Sequence, residues 1–113
     1  MYFHYRELES GIKLIQLSGE MDLDATISIE QRLARHVAGE NILLILDLSE
    51  VTFLASIGIR LIITTAKSIA NRGGGLAILN PIPAVREVLE VTGLLEVIPI
   101  FASLEEAKKG LTR

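Results

Sequence analysis

Between residues 42 and 60 the chain changes period. Ile42, Leu43, Leu44, Ile45 and Leu46 form an unbroken apolar run, too short for a buried helix and apolar on both faces of a strand. From Ser56 onward, the apolar side chains fall at Ile59, Ile62, Ile63, Ala66, Ile69 and Ala70, which places them on one face of a helix. A strand feeding an amphipathic helix within so few residues points to an α/β fold. Such a run suits a central strand covered on both sides, or one covered on a single face with an unusually apolar exterior; a central position is the reading favoured here.

The remaining segments follow the same logic. Tyr2 to Glu7 alternates, Ser10-Gly11 interrupts, and Ile12 to Leu17 reads as the second strand of an antiparallel hairpin. Ser18-Gly19 breaks the pattern. Asp22 and Asp24 then supply acidic first-turn positions for a helix with Ile29, Leu33 and Val37 inside and Gly39 at its end. The next strand is predicted over Asn41 to Leu46. Gly73-Gly74-Gly75 reads as a helix stop and turn before the strand Leu76 to Leu79, because no Lys-Ser/Thr follows to make it a phosphate loop. Pro83 suits the first position of a helix that buries Val85, Val88 and Leu89. Thr92-Gly93-Leu94 looks like a glycine C-cap, and Val97 to Phe101 like a last strand. Ser103-Leu104-Glu105-Glu106 is a capping box, with Leu104, Ala107 and Leu111 facing inward.

The order β-β-α-β-α-β-α-β-α shows no repeat and no linker, so residues 1–113 are expected to form one domain, an α/β sandwich on a mixed sheet with about four packed helices. Right-handed crossovers are expected for its parallel pairs. A chain of 113 residues buries about two-thirds of the surface its unfolded form exposes, so a core is available without staples.

Composition removes several functions. With no cysteine there are no disulfides or thiolate metal sites, and His4 and His36 lie far apart with no ligand spacing around them; neither metal nor cofactor is expected. No apolar run approaches the ~20 residues of a membrane helix. Met1 to Glu7 lacks the basic and apolar regions of a secretory signal, so a cytoplasmic address is expected. Net charge is −3 and the basic residues are scattered apart from Lys108-Lys109, so nucleic acid is not an expected partner. Catalysis lacks a constellation: there is no thiol, no paired histidine and no serine with a base nearby. Asp22 and Asp47 could be imagined as paired carboxylates; the favoured reading has Asp22 shaping a turn and Asp47 closing a strand.

Ser56 stands where the apolar strand gives way to the helix. Serine is a favoured N-cap residue, and most serines at helix starts do only that. The same place also suits a modification, since the first helical turn carries unpaired N–H groups and partial positive charge, where a phosphate is electrostatically well placed.

Three segments resemble the STAS family, in particular its stand-alone bacterial members, the anti-sigma factor antagonists. Leu17-Ser18-Gly19-Glu20-Met21-Asp22 is similar to the family's Gly-Glu-Leu-Asp turn, with Asp22 the matched acid. Asp47 to Ile59 is similar to the family's Asp-Leu-Ser-x-Val-x-Phe-x-Asp-Ser-Ser-Gly-Leu, and places Ser56 on the phosphorylated serine. The glycine triplet, Pro83-Ala84-Val85 and Thr92-Gly93-Leu94 match the remaining landmarks in order and spacing. Ala55 and Ile57 depart from the pattern, replacing the family's acid and second serine.

The resemblance implies a protein that binds an anti-sigma factor doubling as a serine kinase, frees a sigma factor, and is switched off by phosphorylation at Ser56. A serine phosphatase would reset it. The implied contact surface is Asp22, Leu54, Ala55, Ser56, Ile57 and Gly58, with Gly58 kept small by the approach of the partner. Losing the acid at position 55 would slow phosphorylation or signal a different partner. The alternative implied by the same family is an interaction module in a lipid-transport or sensory complex.

Overall fold

The computed structural model describes residues 1–112. Five strands form one mixed sheet in the order β1-β2-β3-β4-β5. β1 (Tyr2–Glu7) and β2 (Lys13–Met21) are antiparallel, with Phe3 opposite Leu17 and Glu7 opposite Lys13. A short 3-10 turn, Glu9–Gly11, joins them; Ser10 and Gly11 both take positive φ there. β3 (Leu43–Leu54) runs parallel to β2 and to β4 (Gly75–Leu79), and β4 runs parallel to β5 (Ile100–Phe101). The apolar run is therefore the middle strand of the sheet.

Alternation sorts its side chains onto two faces. Leu44, Leu46 and Leu48 join the larger core with Ile15, Leu17 and Ile78, which is covered by α1 (Leu23–His36), α2 (Ser56–Asn71) and α3 (Pro83–Val91). Ile45 points the other way, into a smaller cluster with Ile12, Leu14 and Leu79 that is closed by Ala107 of α4 (Leu104–Leu111). Both faces of β3 are covered at its N-terminal half, which explains the unbroken apolar run.

Several boundaries differ from the pattern-based reading. β2 does not stop at Ser18-Gly19 but continues to Met21, and β3 continues from Leu46 to Leu54. Register shifts between Gln16 and Ser18 and between Gly19 and Glu20 absorb the mismatch as bulges, with Gly19 at φ 108°. A polar stretch such as Ser49-Glu50 looks like loop in sequence, yet it pairs with Ser18. Asp47 consequently lies within β3 rather than closing it; its carboxylate accepts the Ser49 amide at 2.9 Å and the Gln16 side chain at 3.3 Å. β5 is only two residues long, because Val97 ends a 3-10 turn (Leu94–Glu96) and Pro99 offers no N–H to the ladder. In α2 the buried stripe is Gly58, Leu61, Ile62, Thr65 and Ile69, a slight rotation that takes in Leu61 and leaves Ala70 exposed.

The helix ends are largely as the sequence announces them. Pro83 opens α3, Gly93 follows it in the left-handed conformation, and the Ser103 hydroxyl accepts the Glu106 amide at 3.2 Å. Arg72, the C-cap of α2, donates to the carbonyls of Gly39 and Val37 and to the Ser68 hydroxyl, tying the C-terminal ends of α1 and α2 together.

Candidate functional site at the paired helix starts

Met21 pairs with Leu54 at the C-terminal ends of two neighbouring parallel strands, and the Ala55 amide donates to the Met21 carbonyl at 3.1 Å. The next residue on each strand caps a helix. Asp22 is the N-cap of α1 and Ala55 that of α2, so the two helices start side by side.

The two caps are chemically unequal. The Asp22 carboxylate accepts the Ala25 amide at 2.9 Å, whereas Ala55 has no side chain to offer and α2 begins without a side-chain cap. The first helical bond of α2 runs from the Ile59 amide to the Ala55 carbonyl at 3.1 Å, leaving the amides of Ser56, Ile57 and Gly58 as the free donors of the first turn. Ser56 is thus the first residue inside the helix rather than its N-cap. Residue preference favours serine as the cap, but the Ala55–Met21 bond fixes the backbone one residue earlier. The capping role is excluded and the exposed hydroxyl is left without one.

Not every residue expected at a contact surface lies on it. Ser56 is exposed and Ala55 and Ile57 are half-buried, but Leu54 and Gly58 are buried. A Cβ at position 58 would stand 2.8 Å from Leu54 Cδ1 and 3.0 Å from Met21 Cγ. The protein's own core therefore already makes a close approach that favours a small residue at position 58.

Three exposed apolar side chains that the motifs do not single out lie around this site. Leu23 and Ile27, one turn apart on α1, are 55% and 56% exposed, and Phe53 at the end of β3 is 50% exposed. The helical spacing marks two of them: Leu23 and Ile27 fall off the Ile29-Leu33-Val37 stripe and so face away from the core. Between the helices runs a groove of about 270 Å³ lined by Thr26, Glu30, Ile57, Arg60, Leu61 and Thr64. The Thr26 hydroxyl is buried there without a hydrogen-bond partner.

The arrangement offers no acid–base pair. Asp22 caps α1, while Asp47 is held within the sheet, and each carboxylate is bound to its own backbone neighbour. His4 stacks on Tyr2 and His36 on Tyr5, and no group of acids and histidines among the described residues could hold a metal ion. No helix among them is long and apolar enough to cross a membrane.

Fold and site together define a binding module: a mixed sheet that presents an exposed serine, at an uncapped helix start, within an apolar surround. The chain belongs to the STAS domain family, whose model matches residues 6–107. It is 30% identical over 97 residues to BtrV of Bordetella bronchiseptica, named as an anti-sigma factor antagonist, which covers 86% of this chain and 84% of that one. It is 26% identical over 102 residues to the anti-sigma-F factor antagonist RsfB of Mycobacterium tuberculosis, with 90% and 83% covered. Among solved structures, an anti-sigma factor antagonist from Mycobacterium paratuberculosis superposes with a TM-score of 0.89 at 26% identity, covering 99% of this chain and 94% of the other.

Proposed function

We propose that this chain is an anti-sigma factor antagonist that binds its partner through the paired starts of α1 and α2 and is released by phosphorylation of Ser56. The observation that carries the reading is Ser56 itself: exposed, one residue inside an uncapped helix, in a chain whose relatives bear that name. The protein acts by binding and carries out no turnover of its own. Its partner is an anti-sigma factor that is also a serine kinase, and a serine phosphatase restores the free hydroxyl.

In the modification step the Ser56 oxygen bonds to the γ-phosphorus of a nucleoside triphosphate held by the kinase. The P–O bond to the departing nucleoside diphosphate breaks, and the hydroxyl proton passes to a base of the kinase. The product adds about −1.5 to −2 charges to a surface that carries the apolar Leu23, Ile27, Ala55 and Ile57 beside the Asp22 carboxylate. Burying that charge against an apolar or acidic partner is unfavourable, so the complex separates.

Calorimetric titration against the anti-sigma factor tests the reading. Ser56→Ala is expected to bind as wild type does and to resist the kinase, and Ser56→Asp to bind at least about tenfold more weakly. Equal affinity of the aspartate variant and wild type would remove charge at this position as the signal, leaving the lipid-transport or sensory-complex role.

A further inference from the structure

Arg60 lies one helical turn beyond Ser56 on α2, and both residues are exposed. Side chains four apart on a helix lie next to each other, with Cβ atoms about 5–6 Å apart. Arg60 also lines the α1–α2 groove beside Ile57, facing Glu30 of α1. Among the described residues no hydrogen bond or ion pair holds its guanidinium. Arg72, Arg32, Lys13 and Lys108 are engaged by carbonyls, a hydroxyl or carboxylates, whereas among the described residues Arg60 shares its unpaired state with Arg6, Arg35, Lys67, Arg86 and Lys109; what sets it apart is its place four residues beyond Ser56. Arg60 is an exposed, unpaired cation one helical turn from position 56.

We propose that Arg60 is the positioning residue for the phosphate on Ser56, a proposal that rests on the phosphorylation reading above. A guanidinium presents a planar fork of donors that matches two phosphate oxygens at once. While Ser56 is unmodified, Arg60 stays at the groove and offers its charge to a carboxylate of the partner. Once Ser56 carries phosphate, the guanidinium turns back along the helix toward the first turn, adding to the free amides of Ser56, Ile57 and Gly58. One modification thereby changes the surface twice: it places negative charge at position 56 and withdraws positive charge from the groove. Glu30, on the far wall, is left as the groove's own charge.

The test needs no kinase, since phosphoserine can be placed at position 56 during chain synthesis. Phosphorus NMR titration then compares the phosphorylated wild type with phosphorylated Arg60→Gln, whose α2 amides are the same, so the difference reports the side chain. The second phosphate pKa is expected to lie about 0.3 unit lower with Arg60 present. Raising salt to about 0.5 M should shrink the gap, and Arg60→Lys should restore part of it. Circular dichroism checks that the exposed substitution leaves the fold intact. Identical titration midpoints in wild type and Arg60→Gln overturn the proposal whatever the partner does. If the gap is present while the anti-sigma factor binds both phosphorylation states equally, Arg60 keeps its assignment and the release mechanism alone is wrong.

Discussion

Gly58 has a reason to stay small that its place in the sequence does not reveal. A glycine in the first turn of a helix is a poor helix former, so its presence asks for a reason, and the chain alone offers partner approach as one. The structure supplies another: the Cβ would press on Leu54 and Met21, both buried. The two flexible side chains can yield a little, but overpacking costs about 1–3 kcal/mol against a propensity gain below about 1 kcal/mol in a first turn. Gly58→Ala is therefore expected to lower the thermal midpoint by several degrees, about 4–8 °C per kcal/mol for a domain near this size. An unchanged or raised midpoint would show that the Leu54–Met21 contact has slack.

His36 carries a second residue-scale consequence. Its ring stacks on Tyr5 with centroids 4.0 Å apart and on Phe3 at 5.8 Å, while Lys13 of β2 donates to its carbonyl and Arg32 lies over the Phe3 ring. Burial against the aromatic rings, and then the charges of Lys13, Arg32 and Arg35, hold the imidazole below its ordinary 6.5. The unfolded chain thus binds the proton more tightly than the folded one, so stability is full above pH 6.5 and declines as pH falls through the lowered folded value. Thermal midpoints recorded from pH 7.5 down to about 5 should fall less steeply in His36→Gln than in wild type. Equal slopes would place the acid sensitivity in other groups.

At the scale of elements, α4 seals the second face of the sheet alone, and the seal depends on a glycine inside the helix. A Cβ on Gly110 would lie 2.2 Å from Phe101 Cζ, so the ring rests directly on the α4 backbone. Gly110→Ala would force the ring off the helix and is expected to destabilise by about 1–3 kcal/mol, read as a lower denaturant midpoint at unchanged slope. An unaltered midpoint would mean that Phe101 repacks freely. The same scale shows what could be read from the chain. Helix starts and stops were legible, because Asp22, Pro83, Gly93 and Ser103 act through local chemistry that neighbouring residues do not override. The C-terminal halves of β2 and β3 were not: Ser18-Gly19 and Ser49-Glu50 pair across bulges, and register is settled by the partner strand rather than by either segment. For the same reason the sequence alone puts Ser56 at the cap of α2, one residue from its place inside the helix. Its position follows from the Ala55–Met21 bond, which joins strands 34 residues apart.

For the whole molecule, the arrangement of layers bears on how the proposed phosphorylation of Ser56 would act. Ser56 sits at one end of the sheet, where β2 and β3 hand over to α1 and α2, while Arg72 clamps those helices together at their other ends. The residues at the strand ends beside the start of α2 already belong to the closed core: Met21 and Leu54 are both buried. A charge added at the first turn of α2 interacts favourably with the helix dipole, by a few tenths of a kcal/mol up to about 1, and meets no buried group that must move. Release should accordingly come from the altered surface rather than from refolding. In Ser56→Asp, amide hydrogen exchange is expected to keep wild-type protection throughout β1 to β4 and α3, with slower exchange confined to the first turn of α2, while affinity for the anti-sigma factor falls about tenfold or more. Loss of protection spreading into β3 or α1 would show instead that the site is coupled to opening of the core, and that partner release follows a change of structure rather than of charge.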